Sequence, residues 1–523
     1  MNNQKKSIFI NLIFILISNI LFSQPEYLFL NNDLNFRYEN IIYNDKQNFH
    51  TSVKPYFIPE LSEKKNIDSS YINNSNSPFI DFINNKTYLN YLANDNIFYI
   101  KPIVSYTAIY EQNPGNIANS GSVGLTIIGN FNKKLSLQTN IIYNNCCLPE
   151  HQANKADSIG VIPHFGKFNS YYFSNTYYLS YSPVHYFNVQ AGNGKIFFGD
   201  GYMSLLLSDN SNFYPFLKLS LNAWKIKYIS LFTLLKDIDY PDIEKYYEKY
   251  SAIHYLSWNI SKKFNINLFE TVIWGGNDTV NYRFFDINYL NPVIFYRPVE
   301  FSLDNPSPDN VLMGMGFRWN VWKKNHLYGQ LILDEFKLSE VRAGNGWWAN
   351  KHGFQLGLKA FKFLSIENLF FLAEFNFVRP FTYSHISSLQ NYGHYYQPLA
   401  HPLGANFEEN VLLLKYKHKN WFFEIKNIYS LFGTDTNNVN LGHNIYKSYV
   451  NRYNEYNNNM LQGEKNNLFF SELKISYLIN PKINLQFETG LKNRTHIIEN
   501  KKTNNMYFFI GFRTTIFNNE LVY

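Results

Sequence analysis

Apolar and polar residues alternate along this chain in short runs. In Ile483 to Leu491, the residues Ile483, Leu485 and Phe487 fall on one face and Asn484, Gln486 and Glu488 on the other. Phe354, Leu356, Leu358 and Ala360 oppose Gln355, Gly357 and Lys359 in the same way. Trp421, Phe423 and Ile425 oppose Phe422, Glu424 and Lys426, and Leu473, Ile475 and Tyr477 oppose Glu472, Lys474 and Ser476. A period of two marks strands whose two faces meet different surroundings. The polar faces carry both charge signs, which a dry sandwich core tolerates only with pairing. A barrel wall between hydrocarbon and a polar lumen accepts them.

Strands of this kind are predicted near 97–112, 121–132, 133–145, 171–182, 185–193, 216–224, 225–235, 252–261 and 264–275. They continue near 312–321, 325–336, 352–362, 364–378, 409–418, 420–432, 466–478, 482–494 and 504–517. The total is about eighteen, an even number as single-chain bacterial barrels have. Short polar turns at 132–134, 182–183, 261–263, 323–325, 418–420 and 480–482 alternate with long connections at 146–170, 194–215, 276–311, 337–351, 379–408 and 433–465. Long loops at one end and tight turns at the other are how an outer-membrane barrel places its extracellular and periplasmic sides. The predicted fold is therefore all-β, a transmembrane antiparallel barrel over 97–523. Inward Tyr328, Phe336, Phe422 and Phe509 point to a filled lumen.

Ahead of the barrel, Lys5 and Lys6 precede an apolar run from Ile8 to Phe22 that ends at Ser23 and Gln24, as in a secretory signal peptide over 1–24. The run is shorter than the roughly 20 apolar residues of a membrane span. No cysteine stands near this junction, so a lipidated N-terminus is not expected. Residues 25–96 are polar, rich in Asn and Ser and without sustained alternation, and form a periplasmic or plug segment in this reading; Phe79 to Leu92 is amphipathic enough for a helix. The final strand alternates from Met506 to Phe517 near the chain end, which finishes on the aromatic Tyr523, a pattern that resembles the signal read by the barrel-assembly machinery.

Composition agrees: aromatic residues make up 19% of the chain, with 42 Tyr and 47 Phe, and no later stretch is long and apolar enough for a membrane helix. The net charge of +7 is scattered and forms no basic stripe of the kind that binds nucleic acid.

Candidate chemistry is sparse. Cys146 and Cys147 open a long connection, where a local disulfide or free thiols are expected and a metal site lacks further ligands. Gly192 to Lys195 with Gly199 to Gly201 lacks the Gly-Lys-Ser/Thr end of a phosphate loop and reads as tight turns. Asp334 and Glu335 are adjacent carboxylates near Glu340, but strand neighbours point to opposite faces, with Asp334 towards the lumen, so glycosidase chemistry is not expected. His385, His394 and His401 share a loop with Tyr383, Tyr392, Tyr395, Tyr396 and Glu408 without zinc-like spacing. Trp347 and Trp348 stand beside Asn345, Gly346 and Asn350, a mixture of aromatic faces and amides that suits carbohydrate or an interfacial anchor.

Four long segments resemble a known family, the Bacteroidetes outer-membrane proteins that include gliding-motility protein RemB and Wzi-like capsule assembly proteins. They are GNGKIFFGDGYMSLLLSDNSNFYPFLK (Gly192 to Lys218), NPVIFYRPVEFSLDNPSPDNVLMGMGFRW (Asn291 to Trp319), LYGQLILDEFKLSEVRAGNGWWANKHGFQLGLK (Leu327 to Lys359) and RPFTYSHISSLQNYGHYYQPLAHPLGANFEEN (Arg379 to Asn410), joined by HTSVKPYF (His50 to Phe57). The resemblance implies an eighteen-stranded barrel with a periplasmic N-terminal portion, no enzyme activity and no cofactor. It implies surface roles in holding capsular polysaccharide or in adhesion and gliding. Residues of these segments that would meet a surface glycan are Asp200, Asp209, Arg297, Glu300, Asp334, Arg342, Trp347 and Trp348; each could instead pack loops over the lumen. Expected partners are outer-membrane lipids, surface polysaccharide, gliding or adhesion machinery and, during insertion, the assembly machinery. A channel for a small solute or polymer is the alternative. Both chain ends are expected on the periplasmic side and the long loops outside.

Overall fold

The computed structural model describes residues 26–43, 48–61, 89–93, 96–113, 115–146, 148–162, 164, 171–239, 242–276, 285–292, 309–322, 324–436, 439–514, 517–518 and 522–523. The expected signal peptide, Cys147, Arg297 and Glu300 lie outside them, and the expected disulfide with them.

Eighteen strands form one closed antiparallel barrel. The first nine are β1 (Asn96–Glu111), β2 (Asn116–Phe131), β3 (Leu135–Cys146), β4 (Tyr171–Val184), β5 (Phe187–Gly194), β6 (Tyr214–Ala223), β7 (Ile226–Asp239), β8 (Asp242–Asn259) and β9 (Phe264–Gly275). The rest are β10 (Asn310–Trp322), β11 (Asn325–Glu335), β12 (Lys351–Phe361), β13 (Leu369–Val378), β14 (Phe407–His418), β15 (Trp421–Thr434), β16 (Glu464–Asn480), β17 (Leu485–Ile498) and β18 (Lys501–Thr514). Each pairs with its sequence neighbour, and β18 returns to β1 with Tyr507 opposite Glu111 and Arg513 opposite Ser105. The sheet thus closes on itself, the condition for spanning a bilayer with strands. Below the reach of β18, a short arm, Leu89–Ala93, pairs with the same edge of β1 from Ile100 to Asn96.

The alternation predicts these elements to within a few residues, except at β7 and β8. There the strands run on to Asp239 and start again at Asp242, where the sequence pattern ends at 235 and resumes at 252. The extension is held by pairing: Lys236 lies opposite Glu248, and Lys249 opposite Gly275 of β9.

The wall is inverted relative to a water-soluble protein. On β16 the apolar Phe469, Leu473 and Ile475 are exposed while Glu472, Lys474 and Ser476 are buried. Leu356, Leu412, Phe423, Phe487 and Phe512 continue the exposed apolar belt round the barrel. A patch of this extent requires a hydrocarbon neighbour.

Inside, charges on adjacent strands form a lattice. Lys415 of β14 is 2.8 Å from Glu424 of β15, Lys426 of β15 is 2.6 Å from Glu472 of β16, and Arg513 of β18 is 2.9 Å from Glu488 of β17. The lumen is also occupied by the chain itself. Helix α1 (Asn32–Ile42) is capped by Asn31, whose Oδ1 accepts from Leu34 N at 2.8 Å. It presents Asp33 to Lys415 and Lys474 at 3.0 Å each and to Arg513 at 3.5 Å. Burial alone would raise the Asp33 pKa, but these three cations hold it well below the usual carboxylate range. Further along, Val53–Lys54 pairs with Phe197–Phe198, and Glu60 meets Lys227 at 2.8 Å.

Several expectations change here. The last strand ends at Thr514, not 517. Tyr523 is turned into the barrel, where its hydroxyl donates to Glu409 of β14. Phe336, expected to face inward, is exposed beyond the end of β11. Tyr328, Phe422 and Phe509 do pack inward: Tyr328 OH donates to Glu374 at 2.7 Å, Phe422 meets Phe36 of α1, and Phe509 is buried. Of the expected helical piece Phe79 to Leu92, residues 79–88 lie outside the described part and Leu89–Leu92 belongs to the strand arm.

Candidate functional site

The long connections gather at one end and fold over the lumen. One contains helix α2 (Glu150–Ile159) and another a single-turn helix, α3 (Leu338–Ala343). Two regions of this end carry the sequence-predicted residues.

The first is an aromatic cluster between the 336–350 and 435–463 loops. Glu455 Oε1 accepts from the indole N–H groups of both Trp347 and Trp348, at 3.0 and 3.1 Å. Arg452 pairs with Glu455 and lies over the Trp348 ring, 4.4 Å from its centroid. Trp348 is buried against Tyr449 and Phe381, whereas Trp347 keeps part of its surface open. Arg342 is exposed on α3 nearby.

Asp334 is buried below this cluster at the end of β11. Its Oδ2 accepts from Tyr383 N at 2.8 Å, and Lys351 Nζ stands 3.2 Å from Asp334 Oδ1 and 3.1 Å from Glu335 Oε1. Alternation predicts that these two carboxylates face apart. A register shift between Leu333 and Glu335 brings both to one lysine instead. Held in this way, neither is placed as a free acid or base across a sugar ring.

The second region is a cavity of about 320 Å³ enclosed by the inward-folded loops, with Asn32 from the N-terminal segment and Asn518, Val522 and Tyr523 from the segment after β18. Its wall includes the stacked rings of Tyr396 and Tyr446, 4.4 Å apart, together with Asp209, Gln397, Asn444 and Lys155. Asp209 Oδ2 accepts from Asn518 Nδ2 at 2.8 Å, and the Asp209 carbonyl accepts from Lys195 Nζ at 3.0 Å. Desolvation pushes the Lys195 ammonium down to about 7. A second, more polar cavity of about 170 Å³ lies among the inward faces of β1, β2, β16, β17 and β18, lined by Lys474, Lys492, Arg494 and Arg513 with Glu472 and Glu488.

Asp200 sits apart from both. It is buried in the lumen, where Tyr43 OH donates to its Oδ1 at 2.9 Å and Thr51 Oγ1 donates to the same oxygen. The Gly199 backbone beside it has φ +147°, a conformation that favours glycine, and a Cβ there would fall 2.3 Å from Gln330 Nε2 and displace that amide.

The three loop histidines go separate ways. His394 accepts from Lys236 N through Nδ1 at 2.9 Å and faces the Phe213 carbonyl through Nε2 at 3.2 Å. His401 Nε2 is 2.7 Å from Glu409, and His385 meets Tyr449 edge-on. Among the described residues no three His, Cys, Asp or Glu side chains converge on a metal-sized site.

The structure thus brings Trp347 and Trp348 together at the mouth, Asp334 beneath them and Asp209 to the cavity, and leaves Asp200 with the N-terminal segment. Sequence reasoning missed Glu455, Lys155, Tyr446 and Tyr523. Only the aromatic richness of the 435–463 loop hinted at any of them.

No protein-family model matches the chain, and no curated protein is similar to it in sequence. Among solved structures, it is similar to Wzi of Escherichia coli, an outer-membrane protein involved in group 1 capsule assembly and a carbohydrate-binding β-barrel, at 12% identity and a TM-score of 0.56 over 93% of this chain and 98% of that one. A BenF-like porin of Pseudomonas fluorescens Pf-5 (7% identity, TM-score 0.45, 80% and 98% covered) and OpdK of Pseudomonas aeruginosa with vanillate (8%, 0.46, 80% and 98%) are more distant. The first likeness is one of fold, that of an outer-membrane β-barrel; the other two are too distant to carry an argument.

Proposed function

We propose that this chain is a non-enzymatic outer-membrane surface protein whose long loops face the cell exterior and bind or anchor surface polysaccharide. The observation that carries the reading is the filled lumen. Residues 26–43 and 48–61 and the described residues after β18 occupy the space a channel would need, and they are fastened by Asp33, Glu60 and Tyr523 to four strands of the wall, β7, β14, β16 and β18. Such a barrel presents a loop surface to the outside without offering a wide path through it. Support for carbohydrate as the ligand comes from aromatic faces set beside amides and charges, at Trp347 and in the cavity of Tyr396 and Tyr446.

A capsule-assembly protein is among the solved structures this chain is similar to, so the capsule side of the expectation is the one carried forward. In this orientation the short turns lie in the periplasm, and Tyr523 lies inside the barrel towards the long-loop end. A deletion strain should shed its capsular polysaccharide into the medium while still making it, and the full chain should restore retention. Normal retention in the deletion strain would sink the proposal, as would large steady currents from the wild-type protein in planar bilayers, which would favour a channel.

A further inference from the structure

Inside the lumen, Lys415, Lys426, Lys474, Lys492 and Arg513 all stand within ion-pair distance of Asp33, Glu424, Glu472 or Glu488. Arg494 and Lys155 are among the cations outside this lattice. Arg494 of β17 is 8% exposed, and its Nε donates to the Val522 carbonyl at 3.1 Å; among the described residues no carboxylate lies within 4.0 Å of it. Lys155 of α2 lines the 320 Å³ cavity, and its ammonium has no hydrogen-bond or ion-pair partner among the described residues. Desolvation and then the nearby Arg494 push it down to about 8. Lys155 is half-buried, so an anion entering the cavity can reach its ammonium.

The two cations flank one residue. Val522 lines the cavity that Lys155 lines, while its carbonyl holds Arg494, which lines the neighbouring 170 Å³ cavity. The rest of the larger cavity offers the stacked Tyr396 and Tyr446 rings and the side-chain amides of Asn210, Gln397 and Asn444. Its volume is in the range of small-molecule sites. Ring faces fit the C–H side of a pyranose, amides fit its hydroxyls, and the Lys155 ammonium calls for an anion.

We propose that this cavity takes a carboxylated sugar residue, a uronate of an acidic surface polysaccharide, with the carboxylate directed to Lys155. The proposal rests on the polysaccharide-binding reading and narrows it to acidic glycans. A neutral sugar would leave Lys155 without a counter-charge. Added salt weakens the binding, because one of the contacts is a charge pair near the mouth.

The full chain in detergent micelles is titrated calorimetrically with trimers of galacturonic and glucuronic acid, with their methyl esters and with inorganic phosphate. At least one acid trimer should bind, with its uncharged ester about tenfold or more weaker. Lys155→Gln should weaken the acid to the level of the ester and leave the ester unchanged. Arg494→Lys should retain acid binding, and heat-modifiable gel mobility shows that each variant is folded. Equal binding of acid and ester overturns the uronate assignment and leaves the polysaccharide reading intact. Binding of neither overturns both. Displacement of the acid by equimolar phosphate overturns the assignment in favour of a simple anion site, and full acid affinity in folded Lys155→Gln overturns it as well.

Discussion

The hydroxyl of Tyr523 donates a hydrogen bond to the carboxylate of Glu409, so the segment after the last strand is fastened to the wall at β14 near the long-loop end. The same carboxylate receives Ser430 Oγ at 3.0 Å and lies 2.7 Å from His401 Nε2. Removing the hydroxyl with Tyr523→Phe leaves a buried carboxylate one donor short. The expected cost is about 1–3 kcal/mol, read as a lower temperature for loss of the compact gel form. An unchanged unfolding temperature would show that the contact does not hold the segment.

Asp33 ties α1 to three strands. Asp33→Ala leaves Lys415, Lys474 and Arg513 without the carboxylate that bridges them. Each cation keeps a second carboxylate, Glu424 or Glu488, so the expected cost is about 1.5–3 kcal/mol, and the helix should loosen from the wall. Planar-bilayer recordings should then show frequent large openings that the wild type lacks; a silent variant would mean that other contacts suffice to keep the lumen closed.

Acid should loosen the loop end through His394. Burial, against the pull of the Phe213 carbonyl, lowers its pKa from 6.5 to about 3, so between these values the unfolded chain takes up a proton that the folded chain refuses. The stability this confers is complete above pH 6.5 and is lost progressively as pH falls towards 3. Protonation also removes the Nδ1 lone pair that accepts from Lys236 N. Thermal unfolding at pH 7 and pH 4.5 should differ less for His394→Gln than for the wild type.

Trp347 and Trp348 share one acceptor but differ in burial, and their truncations should separate. Trp348→Ala removes a ring packed on Tyr449 and Phe381, at an expected cost of about 3–5 kcal/mol. Trp347→Ala, whose exposed bond to Glu455 is worth less than about 1 kcal/mol, should leave the unfolding temperature unchanged and reduce retention of surface polysaccharide by whole cells. Full retention would assign Trp347 to loop packing alone.

Ile475 tests the belt. Arginine at an exposed wall position near mid-bilayer costs about 2–4 kcal/mol, so Ile475→Arg should lower the yield of inserted barrel in outer-membrane fractions. A normal yield would place β16 outside the hydrocarbon.

Much of the wall was legible because each strand carries its own evidence. Ile475 and Lys474 are neighbours in sequence, and their opposite characters reveal two environments without any knowledge of the partner strands. The turns were legible for the same local reason. Asp334 and Glu335 show the limit: alternation placed them apart, and only the pairing with β12 exposed the shift that unites them. Helix α1 escaped the sequence reading: its apolar stripe of Leu34, Tyr38 and Ile42 spans little more than two turns, and its Asp33 meets lysines and an arginine of distant strands. The interior cavity was not legible at all. Its walls come from six separate parts of the chain, and the order of residues contains nothing that sets Lys155 beside Val522.

The edge of β1 has two partners: the arm Leu89–Ala93 covers Asn96 to Ile100, and β18 covers Ser105 to Glu111. One partner is made just before β1 and the other only after the sixteen strands between β1 and β18. A chain cut short of β18 would leave backbone donors and acceptors from Ser105 to Glu111 facing hydrocarbon, at several kcal/mol for each group. Closure of the barrel is therefore also a check on completeness: the seam seals only on a polypeptide that has been translated through its last strand.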